Sequence, residues 1–129
     1  MDKIIVVYGA SSTGKTTVVN DIYDNLIKQG ALVTKSKMKV GGNPKDFEAV
    51  LSFKGKSIAF LSMGDYRSVV DDYVSKYKMY DVFITALNKG FANISTVWLK
   101  NSNVIYKIDK VQANSTDNKK VEINVVSLI

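Results

Sequence analysis

Lys3-Ile4-Ile5-Val6-Val7-Tyr8-Gly9-Ala10-Ser11-Ser12-Thr13-Gly14-Lys15-Thr16-Thr17-Val18-Val19 is the stretch that decides the fold. Lys3–Tyr8 is a near-continuous β-branched run, as expected of a central strand buried on both faces. Helix-compatible sequence follows from Lys15 to Gln29, with Val18, Val19, Ile22, Leu26 and Ile27 on one stripe and Gly30 as a C-terminal stop. Between strand and helix, Gly9–Thr16 matches the pattern G-x-x-x-x-G-K-[ST] without a gap. Average composition yields that pattern by chance in roughly half a percent of chains of this length. The glycines let the backbone turn through conformations closed to other residues, so successive N–H groups converge on a concave, anion-binding loop. The helix that starts near Lys15 adds its positive dipole end.

Working outward, strand-like and helix-like segments alternate. Leu32–Val40 reads as a strand near a sheet edge, with Val33, Lys35, Lys37 and Lys39 on one solvated face. Gly41-Gly42-Asn43-Pro44 is the strongest loop signal, and Phe47–Phe53 and Lys56–Leu61 flank Lys54-Gly55 as a β-hairpin. Tyr66–Met79 reads as a helix, Asp81–Leu87 as a strand, Phe91–Lys100 as a short helix and Val104–Ile108 as a strand. The end is open to two readings. Val121, Ile123 and Val125 alternate like a strand, whereas Asn114-Ser115-Thr116-Asp117 offers helix caps. A helix is favoured because parallel units need a covering layer. The pattern predicts one α/β domain over residues 1–129, with a mainly parallel sheet and one β-hairpin giving an antiparallel strand.

Gly9-Ala10-Ser11-Ser12-Thr13-Gly14-Lys15-Thr16 resembles the Walker A motif of the P-loop NTPase superfamily, in its nucleotide-kinase-like branch. The specific match covers these residues, and the strand–helix alternation extends it loosely along the chain. The resemblance implies a three-layer P-loop domain that binds ATP and Mg²⁺. Gly9, Ala10, Ser11, Ser12, Thr13, Gly14, Lys15 and Thr16 would hold the nucleotide, with Thr17 behind them. Lys15 would reach the β- and γ-phosphates and Thr16 would ligate Mg²⁺. ParA-like ATPases share the Gly14-Lys15-Thr16-Thr17 ending, but Ala10, Ser11 and Ser12 do not supply their extra lysine. GTPases carry N-K-x-D after a strand, and Asn88-Lys89-Gly90-Phe91 puts Phe91 where the aspartate belongs.

P-loop NTPases usually pair the loop with an acid that ends a neighbouring strand. Ile58–Asp65 has that form, so Asp65 is the second expected catalytic and metal residue beside Lys15 and Thr16, with Ser62 near it. The alternative is that Asp65 only caps the helix at Tyr66. Asp2 and Asp81 precede their strands, whereas ligands of α/β sheets collect at the carboxyl ends. If the strands at 32–40 and 56–61 run parallel to the first, loop 41–46 hangs over the phosphate site and brings Lys45 and Asp46. Asn88 and Lys89 then end a parallel strand at that edge. The resemblance places Gln112 and Asn114 near the base, and Arg67 stands close enough to Asp65 to reach a phosphate or to be solvated.

Composition narrows the chemistry. There is no cysteine and no histidine, so any metal should be a hard, oxygen-ligated cation. The net charge of +6 invites a nucleic-acid reading, but every basic residue except Arg67 is a lysine and the lysines are scattered, unlike an electrostatic footprint. No apolar run reaches membrane-spanning length and no signal-peptide layout opens the chain, so the expected compartment is the cytoplasm. The expected function is that of a Mg²⁺-dependent ATPase or small-substrate phosphotransferase. A nucleotide-binding switch or subunit needing a partner and a nucleic-acid-associated ATPase are the alternatives. A single arginine argues against a nucleoside monophosphate kinase, whose known members clamp phosphates with several. The phosphoryl acceptor and the oligomeric state are left open.

Overall fold

The computed structural model describes residues 1–90 and 95–129. Its elements run β1 (Lys3–Gly9), α1 (Lys15–Lys28), β2 (Leu32–Lys39), β3 (Phe47–Phe53), β4 (Lys56–Leu61), α2 (Arg67–Lys76), β5 (Val82–Asn88), α3 (Thr96–Asn101), β6 (Val104–Asp109) and α4 (Ser115–Ser127). The C-terminal segment is thus a helix, capped by the Asn114 side chain, which accepts from the Asp117 N–H. The first residues of the helix expected over Phe91–Lys100, 91–94, lie outside the described residues.

The strands form one sheet in the order β2-β3-β4-β5-β1-β6. Here the expectation of a three-layer P-loop domain with a mainly parallel sheet is corrected. β2, β3 and β4 make an antiparallel block, and parallel pairing is confined to β4-β5-β1-β6. The cause is the length of the connections. Parallel neighbours need a crossover of about a dozen residues or more. Only the short segment after Lys39 leads into β3, and Lys54-Gly55 alone joins β3 to β4. Neither link can carry the chain back across the sheet, so both force antiparallel neighbours.

β1 lies inside the sheet and is buried on both faces, as its apolar run requires. Ile5 and Val7 join Val18, Val19, Ile22 and Leu26 of α1 and Val121 and Val125 of α4. Ile4 and Val6 join Val70 and Val74 of α2 and Trp98 of α3 on the other face. Ile27, expected on the buried stripe of α1, is 37% exposed.

β2 departs from the simple alternation read from its sequence. It pairs Lys35 with Val50 but Met38 with Glu48, so one extra residue is inserted between them. Such a bulge reverses the faces of everything beyond it. Lys35 therefore turns toward α2 and bonds Glu48 at 2.8 Å, whereas Lys37 turns toward α1 and bonds Asn20 at 2.9 Å. The expected single lysine face does not exist.

Glu48 fastens α2 to this part of the sheet. It is buried and accepts from Lys35 (2.8 Å), Lys76 (2.7 Å), Tyr73 (2.6 Å) and Tyr77 (2.5 Å). Burial alone would raise its carboxyl pKa, but these four donors outweigh it and hold the pKa at about 2. The folded pKa is below the unfolded value of 4.5, so the stabilisation is present at neutral pH and is lost as pH falls from there toward about 2. Glu48→Gln is expected to cost about 2 kcal/mol at pH 7, since hydrogen bonds to a charged group are removed. Urea unfolding at several pH values should show a shallower acid dependence in the variant.

Candidate functional site

The end of β1 is held in place from both sides. Lys89 N–H donates to Gly9 O (2.8 Å) and Lys110 N–H to Tyr8 O (2.7 Å). Beyond Gly9 the chain turns through Ser12, at φ 61°, and Gly14, at φ 84°, before α1 begins. The left-handed angle at Gly14 is one that L side chains rarely adopt. Inside the loop, Thr13 Oγ1 donates to Ala10 O (2.8 Å) and Asn88 Nδ2 donates to Ser11 Oγ (2.9 Å). The N-terminus of α1 has no side-chain cap and no acid in its first turn. Its N–H groups are thus left for an anion, which the helix dipole favours. Lys15 is buried, and its ammonium donates to Ala10 O across the loop at 2.7 Å. Burial lowers its pKa, and the charge of Asp65 opposes that shift.

The loop forms one wall of a cleft of about 670 Å³, lined by Ser11, Ser12, Gly14, Lys15, Thr16, Thr17, Asn43, Lys45, Ser62, Gly64, Asp65, Tyr66 and Asn88. That volume lies in the range of small-molecule sites. Asp65 comes from the turn after β4, which passes close to β5. A Cβ on Gly64 would lie 2.3 Å from Ala86 O, so only glycine lets this turn deliver Asp65 to the cleft. The N-cap of α2 is Tyr66, with no side-chain capping bond, so the alternative reading of Asp65 as a cap finds no support.

The second carboxylate at the site is Asp46. It is buried just ahead of β3, and its Oδ1 accepts from Thr16 Oγ1 and from Ser62 Oγ, each at 3.1 Å. Ser62 Oγ in turn accepts from Phe47 N–H at 2.8 Å. Both hydroxyls are thereby oriented, and the carboxylate sits against the residue expected to ligate the metal.

No protein-family model matches the chain, and searches of curated proteins and of solved structures give no match. The geometry of the cleft therefore carries the functional reading.

The remaining expected residues divide into two groups. Thr17, Lys45 and Asn88 line the cleft with the loop. Lys89 faces the opposite side of the loop, in a groove with Tyr8, Ala10, Thr13, Asp109 and Val111. Arg67 opens α2 and is not part of the cleft wall. Gln112 and Asn114 lie beyond β6 in a separate depression, where Asn114 Nδ2 donates to Gln112 Oε1 at 2.7 Å. Asn114 is spent on capping α4.

Sequence reasoning missed the support beneath the loop. The buried Lys110 ammonium bonds Gln112 O and the Asp117 carboxylate, the latter at 2.6 Å. That ammonium and the backbone N–H groups of Gln112 and Val111 hold the Asp117 pKa at about 2. The only sequence signal was the cap-like run that ends at Asp117.

Proposed function

We propose that this chain binds ATP with Mg²⁺ in the cleft at the end of β1 and acts as a Mg²⁺-dependent ATPase or small-substrate phosphotransferase. One observation carries the reading: Lys15, the uncapped N-terminus of α1 and the Thr16–Asp46 pair face a single cleft at the carboxyl end of β1. The reading rests on this strand–loop–helix unit and its Walker A-like sequence, with no appeal to the whole fold.

The residues fit the group. The loop and helix N–H groups suit a polyphosphate. Thr16 would ligate the metal, and Asp46, fixed on the Thr16 hydroxyl, would accept from the waters that complete a Mg²⁺ shell. The ion, when bound, supplies charge neutralisation at the phosphate oxygens. Lys15 exchanges its bond to Ala10 O for a phosphate oxygen, where a negative neighbour restores the proton affinity that burial reduces. Asp65 faces the same cleft from the far wall and is placed to orient a nucleophile. Adenine is preferred to guanine because Asn88-Lys89-Gly90-Phe91 lacks the aspartate of the guanine motif.

One observation favours a second reading, a switch or subunit completed by a partner. Arg67 is the sole arginine and does not line the cleft. A partner-supplied arginine would raise turnover by stabilising charge in the transition state.

Thermal unfolding with ATP, GTP and nucleosides, each with and without Mg²⁺, tests the proposal. A hundredfold excess of ATP·Mg²⁺ over its dissociation constant should raise the midpoint by roughly 10 °C. Nucleosides lacking phosphates should leave it unmoved. No shift with any triphosphate would remove the reading.

A further inference from the structure

Beside the phosphate cleft a second cleft of about 520 Å³ opens between α1 and the β2 edge of the sheet. Thr17 and Lys45 line both. We propose that this second cleft binds a small molecule bearing a phosphate or carboxylate group, held by Lys37, Lys39 and Lys45, and that this molecule is the phosphoryl acceptor.

The bulge in β2 creates the site. Without the inserted residue Lys37 would face α2 beside Lys35; with it, Lys37 and Lys39 fall on the α1 side with Phe47, the partner of Lys39. Lys37 is fixed in position. Its Nζ donates to Asn20 Oδ1 at 2.9 Å and sits 4.5 Å from the ring centroids of both Tyr23 and Phe47. Asn20 is fixed too, its Nδ2 donating to Thr16 O (2.9 Å) and Lys45 O (3.3 Å). An ammonium has three donors, and Asn20 takes one.

Charge completes the case. Among the described residues the ion pairs involve Lys35, Lys76, Lys110 and Lys119, and none involves Lys37, Lys39 or Lys45. Three lysines without a carboxylate partner therefore meet at one cleft. Two aspartates also line it. Asp46 is engaged by Thr16 and Ser62, and the Asp21 carboxyl pKa is raised by burial and by Glu122 and Asp24. Partnerless ammonium groups beside an apolar wall of Met38, Pro44 and Phe47 suit a compact organic anion.

The role as acceptor rests on the nucleotide reading above; the binding of an anion does not. In the transfer, a hydroxyl oxygen of the bound molecule forms a bond to the terminal phosphorus of ATP. The bond from that phosphorus to the bridging oxygen breaks, and its electron pair leaves on ADP. The hydroxyl proton passes to Asp46 Oδ2, the oxygen that neither Thr16 nor Ser62 engages.

Amide shifts in ¹⁵N spectra separate the two readings. Glycerol 3-phosphate and succinate, probing the phosphate and carboxylate arms, are titrated into the chain with ADP·Mg²⁺ at saturation. Either probe should shift the amides of Lys37, Lys39 and Lys45 saturably. Lys37→Gln combined with Lys39→Gln should weaken that binding at least about tenfold, as loss of charge-assisted bonds requires. It should leave ADP·Mg²⁺ affinity unchanged. Lys15→Ala, which disables the nucleotide loop, should keep the anion shifts. Saturable ADP·Mg²⁺ binding with no response to either probe overturns this proposal and spares the nucleotide reading. Anion shifts that persist when ADP·Mg²⁺ fails to bind uphold the site and overturn the nucleotide reading, and the acceptor role with it. Tight oligothymidylate binding that is lost in the double variant would assign the lysines to a nucleic-acid backbone and overturn the proposal.

Discussion

Lys15→Ala is expected to abolish or severely weaken ATP·Mg²⁺ binding while leaving the fold intact. Its ammonium is buried and held by one neutral carbonyl, Ala10 O, in a loop that supplies no carboxylate partner. Deleting it removes a single hydrogen bond to a charged donor and relieves the burial that lowers its pKa, so the effect on stability should stay near 1 kcal/mol. The bound state is different. There the ammonium meets polyphosphate oxygens in a partly desolvated cleft, where charge-assisted bonds are strongest. A loss on the order of a hundredfold, about 2.7 kcal/mol, is the expected size. Isothermal titration checks affinity, and circular dichroism checks that the variant still folds. A folded variant with unchanged affinity would rule out Lys15 as a phosphate contact.

Asp46→Asn should produce the second large effect, and it should be specific to the metal. The Thr16 and Ser62 hydroxyls can rotate to serve an amide as well as a carboxylate, so the fold should survive. The metal side should not. Replacing a carboxylate that orients a metal ligand commonly lowers metal affinity by about ten- to a hundredfold. Nucleotide affinity without Mg²⁺ should therefore stay close to that of the parent chain, while the gain on adding Mg²⁺ shrinks. Asp65→Asn should have the smaller effect, because Asp65 is exposed and forms no bond to Thr16. Titrations with and without Mg²⁺ on both variants compare them. A larger loss at Asp65 would return the metal role to the acid that the sequence pattern singles out.

The sequence made one part of this architecture plain. A buried run, a glycine-bounded loop and an amphipathic helix are local features, and β1, residues 9–16 and α1 lie where those features place them. The antiparallel hairpin and the expected run of loop 41–46 over the cleft are also legible. Asn43 and Lys45 do line it. What was lost depends on pairing between distant segments. Whether a strand–helix alternation yields a parallel sheet turns on which links contain a helix, and the β2–β3 and β3–β4 links do not. The extra residue in β2 is invisible to a period-two reading, yet it decides that Lys37 belongs with α1. Asp46 read as a loop residue, because the antiparallel pairing that brings Ser62 against the start of β3 has no signature in either segment alone. Expected base contacts failed for a related reason: the chain beyond β6 is taken up with capping α4, and Gln112 and Asn114 bond each other there.

Calorimetric titration of the unaltered chain with ATP·Mg²⁺ bears most directly on whether residues 9–16 form a nucleotide site. The account predicts saturable binding at one site per chain, with lower affinity when the metal is chelated. No saturable heat up to millimolar nucleotide, with the chain folded throughout, would contradict it.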